Sequence, residues 1–532
     1  MNFLELFFFP FLIGIIGGFS AIGIREIISF SDRLSFAGYY FLEIPVVFMA
    51  TAYIIHNFLK NTSNPTIEIV SKQIILKKGD LDYKKGLAAA VLTAFNIGMG
   101  TPVGREGPIA KLGGALSRLF LKLFNTKGHL IPLYVTCGVT SALAATFNAP
   151  IAAIVFGLEI VIGKINLSII TPLAISSMTA TIISREFLGD YPTFFVHHLG
   201  YDEKLLFLIP VFAFAFALLV TVFEFITKEL EIKFQKIHYL KKALIAGIAV
   251  GALITIFPQC ASLGYNQVTS LFAQHFGAIH ALSLSFVKLL VLSITLAAGI
   301  FGGVFAPGVF IGAFFGYFIG RMFFSPSQAL SVALIGTVAF TSGISKAPFR
   351  STLIIIELTK NYQLTIPALL TSVLSVYLNN LFQNRFHFLR AVLQKGFDLS
   401  NENFKRNMEE LDIKGFLKEV YVIDKNAIIS EILPALINSN SYYFPVVDDN
   451  KLIGVISFRD IRAAKNLNIK AKEIMTPNPE KIKINDSIIK VFEIMPHISA
   501  NLIPVVDEKN NYIAMFDIEK FKKVASVIYI ES

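Results

Sequence analysis

An arginine and a glutamate lie side by side within an otherwise apolar part of the chain, in the stretch GMGTPVGREGPIAKLGG, Gly98–Gly114. The segment before them, Gly86–Val103, carries no charge. Glycines let the backbone approach a bound ion closely, and a helix with Pro108 at its first position would present free N–H groups and the positive end of its dipole. Such a helix start attracts small anions. The Glu106 carboxylate would compete with an anion for the same donors, which links anion binding to protonation.

The same landmarks occur twice along the chain. GREGP at 104–108 and GGVFAP at 302–307 each end in a proline, and each precedes an Ala-Pro pair with a glutamate nine residues after its proline. The two prolines are 42 residues apart in the first copy and 41 in the second. This spacing predicts a duplicated membrane domain with glycine- and proline-interrupted helices, as in transporters built from repeats. The two glycine-rich turns would then be two helix starts directed at one anion, with tight packing by small residues as the alternative explanation.

Apolar segments dominate the first three quarters of the chain. The 532 residues are 54% hydrophobic and include 51 Phe, and the mean hydropathy is +0.63. A helix needs about 20 apolar residues to cross a bilayer. Apolar runs of comparable length recur at 7–24, 207–223, 243–257, 289–319, 329–344 and 365–378. The composition therefore predicts an α-helical polytopic protein of the cell membrane.

Charged residues are concentrated towards the C-terminal end of the chain. More than half of the 37 Asp and Glu residues lie after residue 396. We therefore predict a membrane domain over 1–395, a linker over 396–414 and a water-soluble tail after it. Basic clusters such as LKKGDLDYKKG are typical of the cytoplasmic side of a membrane, and we expect the tail on that side too.

The tail is itself a repeat. Its segments YFPVVDDNKLIGVISFRDI, 443–461, and LIPVVDEKNNYIAMFDIEKF, 502–521, both contain an apolar strand, an acidic turn, a second apolar strand and a helix start. The tail resembles a pair of CBS domains, which we place at 415–467 and 468–527. The resemblance implies an α+β fold for each domain.

The same resemblance implies an adenine nucleotide as the candidate ligand of the tail. In the first copy, GVISFRD keeps the pattern Gly-x-x-Ser-x-x-Asp, so Ser457 and Asp460 are the candidate contacts, with Asp460 bonding a ribose. The second copy has Ala514, Asp517 and Lys520 at the corresponding positions, so its site is degraded. A tail that serves dimerisation and folding alone is the alternative.

The motifs GREGP, FNAP and GGVFAP resemble, in this order, the signatures of CLC chloride channels and proton-coupled chloride transporters. The resemblance covers essentially the whole chain. It implies a homodimer in the lipid bilayer with one pore per subunit, and a CLC fold of two inverted repeats with broken helices. Glu106 would be the gate, because its ionised carboxylate occupies an anion site and its protonated form swings away. The implied anion-binding residues are Gly104, Arg105, Glu106 and Gly107 at an outer site, and Val304 and Phe305 at a central site.

Three positions depart from the CLC pattern. The family's serine motif is replaced by NTSNP, with hydroxyls at Thr62 and Ser63, and the sequence leaves open which of them faces the anion. Phe388 stands where the family has a pore tyrosine, and Ile160, after Glu159, stands where proton-coupled members carry a second glutamate. We predict transport of chloride or a similar small anion, weakly coupled or uncoupled to protons. Proton-coupled antiport of chloride or another halide is the alternative.

Two other classes of membrane protein combine with CBS domains. A magnesium transporter would carry clustered carboxylates for a hard cation, whereas the acids within the apolar segments are few and lie beside the predicted anion-binding turns. A membrane metalloprotease would need a His-Glu-x-x-His helix, which the sequence lacks. We therefore predict a transport protein and not an enzyme, with no required cofactor, no metal and no nucleic-acid partner.

Overall fold

The structure is a computed structural model of the whole chain. It describes residues 4–35, 39–59, 64, 70–71, 73–74, 79–124, 126, 128–158, 167–190, 196, 199–201, 203–273, 276–393, 411–437, 439, 441–464, 466–494, 501–521 and 524. For residues 4, 129, 167, 383–393, 489 and 492–493 the backbone alone is described. The chain divides into two compact units, Met1–His387 and Phe388–Ser532, which we describe separately.

The membrane unit is helical. A π-helical turn, Leu4–Phe8, precedes the first helix, and a short 3₁₀ turn, Gly128–Leu130, lies before the fifth. The helices of the first half are α1 Phe9–Leu34, α2 Tyr40–Asn57, α3 Tyr83–Gly98, α4 Glu106–Leu123, α5 Ile131–Phe147, α6 Pro150–Phe156 and α7 Leu167–Leu188. The helices of the second half are α8 Glu203–Gln235, α9 Tyr239–Ile256, α10 Tyr265–Ala273, α11 Ala278–Ala297, α12 Phe305–Phe323, α13 Pro326–Ser345, α14 Pro348–Thr359 and α15 Thr365–Leu393.

Many of these helices can cross a bilayer. Within the described residues, eight are long and apolar enough to do so: α1 with its preceding turn, α2, α8, α9, α11, α12, α13 and α15. In α12 and in α13, 78% of the residues in the most apolar 18-residue stretch are buried inside the protein. The protein is therefore a multi-pass membrane protein with a helical core, as the composition predicts.

The duplication predicted from the sequence is visible in the backbone angles. Asn148 follows helix α5 and Lys346 follows helix α13, and both residues are left-handed, with φ of 53° and 54°. The next residues, Ala149 and Ala347, have φ/ψ of −134°/73° and −130°/80°. Two segments with different side chains thus make the same turn into the next helix.

The prolines of the repeat occupy two different positions in their helices. Pro150 and Pro348 are at the first position of α6 and α14. Pro108 and Pro307 are instead at the third position of α4 and α12, so the predicted first position of Pro108 is wrong by two residues. The first four N–H groups of a helix have no acceptor within it, so a proline fits anywhere in this turn.

Glycines bring neighbouring helices into backbone contact at equivalent places in both halves. A Cβ on Gly113 of α4 would collide with the carbonyl of Gly138 on α5, and a Cβ on Gly312 of α12 would collide with the carbonyl of Gly336 on α13. Close approach of this kind is typical of small residues at membrane helix contacts. The helices whose starts carry GREGP and GGVFAP are therefore fixed against their neighbours.

The tail unit contains two four-stranded sheets. A 3₁₀ turn at Ile413–Phe416 opens it. Its strands are β1 Leu417–Lys418, β2 Ile423–Asp424, β3 Tyr443–Asp448, β4 Lys451–Ser457, β5 Thr476–Pro477, β6 Ile482–Lys483, β7 Leu502–Val506 and β8 Tyr512–Asp517. Its helices are α16 Ile429–Ile437, α17 Phe458–Ala463, α18 Ala471–Ile474 and α19 Ile489–Ile494.

The two sheets exchange strands. Their strand orders are β2-β3-β4-β5 and β1-β8-β7-β6, so β1 pairs in the sheet of the second copy and β5 pairs in the sheet of the first. The copies also bond through their turns, where Leu452 N–H donates to Asn510 O at 3.1 Å and Tyr512 N–H donates to Asn450 O at 2.8 Å. The tail is therefore a joined pair, as the sequence repeat predicts.

Candidate functional site

The two predicted helix starts lie against each other. Gly104 N–H donates to Gly303 O at 2.7 Å and Gly303 N–H donates to Gly104 O at 2.6 Å, which forms a two-bond antiparallel bridge. The next residues, Arg105 and Val304, have φ/ψ of −103°/−2° and −111°/−10° and begin α4 and α12 in the same way. The bridge therefore brings the GREGP and GGVFAP motifs together, although they are far apart in the sequence.

The Glu106 side chain crosses from one helix start to the other. Only 2% of Glu106 is exposed. Its Oε1 accepts a hydrogen bond of 3.0 Å from the N–H of Ala306, in the first turn of α12. Its Oε2 is buried and has no hydrogen-bond partner among the described residues. A carboxylate from α4 thus binds the free donor end of α12, where the helix dipole is positive.

Two glycines leave the space that this carboxylate fills. A Cβ on Gly104 would meet both Glu106 carboxylate oxygens, and a Cβ on Gly303 would meet Oε2. Gly107 and Phe305, which the CLC resemblance assigns to anion sites, are buried in the first turns of α4 and α12. The arrangement can hold one negative charge between two helix starts, and in this structure the charge is that of Glu106.

Arg105 does not direct its charge at this position. Its Nη2 donates to the carbonyl oxygen of Thr146 at 3.1 Å, within the last turn of α5. The last carbonyls of a helix have no donor within the helix, so the guanidinium stabilises the end of α5. The backbone of Arg105, rather than its guanidinium, is therefore the part that belongs to the helix start.

Asn64 is a residue that the sequence analysis missed. Its Nδ2 donates to Gly302 O at 3.1 Å, and its Oδ1 accepts from Gly302 N–H at 3.2 Å. One amide side chain thus pairs with both backbone groups of one residue, just before the Gly303 bridge. The NTSNP stretch therefore contacts the second helix start through Asn64. The only available signal was the place of Asn64 in the stretch that replaces the family's serine motif.

Lys288 is a second residue that the sequence analysis missed. It is fully buried on α11, and its Nζ donates to the carbonyls of Cys260 at 2.9 Å and Ser262 at 2.6 Å. Ser262 N–H donates in turn to Gly100 O at 2.9 Å. Because Gly100 lies in the turn that leads to GREGP, the buried ammonium helps to fix this turn from the other half of the repeat.

The other predicted pore residues lie partly outside the described structure. Thr62, Ser63, Glu159 and Ile160 are outside the described residues. The backbone at Phe388 belongs to α15, but its side chain is not described. The positions of these side chains remain predictions from the sequence.

Glu357, the repeat equivalent of Glu159, has a structural role at a helix start. Its Oε1 and Oε2 accept from the N–H groups of Ile151 and Ala152 at 3.2 Å and 2.8 Å. These donors belong to the first turn of α6, so the glutamate of the second half caps a helix of the first half.

The predicted nucleotide contacts of the tail form a helix cap. Asp460 Oδ2 accepts from Ser457 N–H and from Ser457 Oγ, both at 2.7 Å, and Asp460 N–H donates to Ser457 Oγ at 3.3 Å. This is a capping box at the start of α17. The two residues therefore stabilise their own helix, whether or not they also bind a ribose.

Fold and site together define a polytopic membrane protein in which two helix starts are paired around a buried carboxylate. The family model described as voltage gated chloride channel matches residues 46–380, and the CBS domain model matches 412–466 and 471–525. The chain belongs to the voltage-gated chloride channel family, the CLC family, and carries two CBS domains. Anion transport is the function of this family, and the fold is the CLC fold of two inverted repeats.

Relatives and solved structures agree with this assignment. The chain is 29% identical over 349 residues to a putative chloride channel protein ClcB-like of Ralstonia nicotianae, covering 60% of this chain and 79% of that protein. It is 28% identical over 293 residues to the H(+)/Cl(−) exchange transporter ClcA of Salmonella arizonae, covering 52% of this chain and 61% of that protein. A solved eukaryotic CLC transporter shares the fold at a TM-score of 0.62 and 18% identity, covering 97% of this chain and 98% of the other.

Proposed function

We propose that the protein transports chloride or a similar small anion through a pore in each subunit of a homodimer, with Glu106 as the gate. The observation that carries this proposal is the hydrogen bond of 3.0 Å from Ala306 N–H to the Glu106 carboxylate. A negative charge already lies at the donor end of α12, in a buried position that a halide could fill instead.

Protonation of Glu106 would favour the anion at this position. A hydrogen bond to an ionised group is worth about 1.5–3 kcal/mol, whereas a neutral one is worth about 0.5–1.5 kcal/mol. The neutral carboxyl group therefore competes less well for the N–H of Ala306, and an anion takes its place. Anion flux should accordingly rise as the pH falls and Glu106 becomes protonated.

We further propose that anion flux is weakly coupled or uncoupled to protons. Ile160 cannot carry a proton at the position of the family's second glutamate, and Phe388 has no hydroxyl to hold the central anion. Proton-coupled antiport is the second candidate, because several matched relatives are named H(+)/Cl(−) exchange transporters. The structure describes neither side chain, so the proposal depends on residue type alone.

Reconstitution into liposomes tests both parts of the proposal. Purified protein in chloride-loaded vesicles should release chloride faster than empty vesicles do, and external pH recorded at the same time should show little uphill proton movement. Chloride release at the rate of empty vesicles would refute anion transport. Uphill proton movement at a fixed ratio to chloride would refute weak coupling and make the protein an antiporter.

Glu106→Gln tests the gate in the same assay. Glutamine imitates the neutral carboxyl group, so chloride flux should lose most of its pH dependence. A mutant with the wild-type pH profile would show that Glu106 is not the gate. Chloride, nitrate and fluoride compared in parallel would give the preferred anion.

For the tail, we propose a cytoplasmic location and an adenine nucleotide as ligand of the CBS pair. The proposal is supported by the GVISFRD pattern, in which Ser457 and Asp460 are the candidate contacts. Calorimetric titration of the purified protein with ATP tests nucleotide binding directly. Absence of binding would leave the pair as a module for folding and dimerisation.

A further inference from the structure

A buried lysine holds the loop that joins α9 to α10, residues 257–264. Lys288 on α11 is fully buried, and its Nζ donates to the carbonyls of Cys260, Ala261 and Ser262 at 2.9, 3.4 and 2.6 Å. An ammonium group has three protons and no acceptor, so three carbonyls can accept all of them. The ammonium is therefore engaged with the backbone of this one loop.

The conformation of the loop explains why it needs this support. Ser262 has a φ of 49°, a left-handed value that residues other than glycine rarely adopt, and Gly264 has a φ of 84°. A Cβ on Gly264 would lie 2.6 Å from the Phe310 ring, so the loop packs directly against α12. The Lys288 Nζ lies 5.4 Å from the centroid of the same ring. The loop and α12 thus meet beside one ammonium group.

The loop is also bonded to the turn that leads into GREGP. Ser262 N–H donates to Gly100 O at 2.9 Å, and Ser262 Oγ donates to Ile97 O at 2.8 Å. Gly100 has a φ of 85°, and Gly104, four residues later, forms the bridge to Gly303. The residue that accepts the shortest bond from Lys288 therefore fixes the turn before α4.

These contacts affect the gate because Glu106 spans the same two helices. Its carboxylate extends from α4 and accepts the 3.0 Å bond from Ala306 N–H on α12. A hydrogen bond weakens steeply when its geometry is distorted, so this bond depends on how α4 and α12 are placed relative to each other. Ser285, one turn before Lys288 on α11, donates from its Oγ to Ile311 O at 2.9 Å. Lys288 thus belongs to a helix bonded to α12, and it holds the loop that fixes the turn before α4.

We propose that Lys288 is a positioning residue for the gate: through the 257–264 loop it holds the turn before α4 where Glu106 can bind Ala306. The proposal rests on the proposed function, because it explains what keeps Glu106 in its blocking position. Ionisable side chains inside membrane helices are costly and mark functional sites, and Lys288 lies in one of the apolar helices long enough to cross a bilayer. Loss of the ammonium should loosen the turn and let chloride pass at a pH at which the wild type is blocked.

The ratio of chloride efflux at acidic pH to that at neutral pH, measured in liposomes, tests the proposal. Lys288→Met removes the ammonium and keeps an unbranched side chain, whereas Ser262→Ala cuts the bond to Ile97 and keeps the ammonium. A hydrogen bond to a charged group corresponds to about tenfold to a hundredfold in an equilibrium, so its weakening in Lys288→Met should lower the ratio by about threefold to tenfold. Ser262→Ala should lower the ratio less, and Lys288→Arg, which keeps a charged donor, should stay closer to the wild type. The effects of Lys288→Met and Ser262→Ala should be less than additive, because both act through the same loop.

Two controls separate positioning from a general loss of stability. Thr295→Val changes the same helix, where the Thr295 Oγ1 donates to Val291 O at 2.6 Å within α11. This variant should leave the efflux ratio at the wild-type value. In a Glu106→Gln background, Lys288→Met should not change the ratio further, because the carboxylate that it positions is absent.

The failure of this proposal can be distinguished from the failure of the proposed function. An unchanged ratio in both Lys288→Met and Ser262→Ala, beside a pH-dependent wild type, would overturn the role of Lys288 and leave the gate intact. An equal loss of efflux at both pH values would also overturn it and make Lys288 a structural residue alone. If Lys288→Met does not fold, Ser262→Ala decides the outcome, since it retains the ammonium. A wild type whose efflux does not depend on pH would instead refute Glu106 as the gate, and with it the proposed function on which this role rests.

Discussion

Gly303→Ala should open the gate without any change in charge. The added Cβ would collide with Glu106 Oε2 and would lie 3.2 Å from its Cδ. Gly303 does not have a positive φ, so alanine meets no backbone strain there. The bridge to Gly104 uses only backbone groups and can persist. The carboxylate, at the end of a flexible side chain, is the group that has to move.

The expected magnitude follows from the hydrogen bond that is lost. Displacing the carboxylate breaks the 3.0 Å bond from Ala306 N–H. A hydrogen bond to a charged group contributes about 1.5–3 kcal/mol, and about 1.4 kcal/mol corresponds to a factor of ten in an equilibrium. The equilibrium between the blocked and the open site should therefore shift by about tenfold to a hundredfold. Chloride flux above neutral pH should rise towards that of Glu106→Gln.

Chloride efflux from liposomes over a range of pH measures this effect. Gly308→Ala is a matched control on the same helix, since its Cβ would approach no atom closer than 3.3 Å. In a Glu106→Ala background, Gly303→Ala should change little, because the displaced group is gone. If Gly303→Ala kept the wild-type pH profile, or blocked flux equally in both backgrounds, the carboxylate would not be the group that closes the pore.

Three further predictions follow from the polar contacts. Asn64→Ala removes both bonds to Gly302, which are worth roughly 0.5–1.5 kcal/mol each, and should lower chloride affinity by up to about a hundredfold, measured by calorimetry; an unchanged affinity would show that the turn holds without Asn64. Lys288→Met leaves the carbonyls of Cys260 and Ser262 without their donor and should lower the thermal stability of the membrane unit, whereas Lys288→Arg should restore part of it; equal melting of both variants and wild type would contradict the role of the ammonium. Asp460→Ala should destabilise the tail by about 1 kcal/mol through loss of its cap, seen as earlier melting without nucleotide, and equal melting would show that the cap is dispensable.

The architecture of the membrane unit could be predicted because the repeat leaves marks on local residue types. The Ala-Pro pairs and their glutamates have fixed spacing, and their turns require particular residues and backbone angles. The helix starts at GREGP and GGVFAP were predicted for the same reason. The position of Pro108 in its helix was predicted wrongly by two residues, since every position of the first turn tolerates a residue without an N–H group.

The contacts that complete the site could not be predicted in this way. Asn64 pairs with Gly302, and Gly104 pairs with Gly303. The partners in each pair are far apart in the sequence, so neither pairing has a local sequence signature. In the sequence, Lys288 is an isolated charge in an apolar segment. Its contact with the carbonyl of Ser262 is formed only in the tertiary structure. Residue types predicted the family and the helix starts, whereas the partners of each residue depend on the tertiary structure.

The strand exchange in the tail has a consequence for synthesis on the ribosome. The first sheet lacks its edge strand until β5 has been made, and β1 has no partner until β8 follows, because Leu417 pairs with Phe516. Nascent chains that end between the two copies would expose unpaired strand edges, which favour aggregation. A nonsense mutation in that interval should therefore yield an aggregating chain rather than a protein with one intact CBS domain.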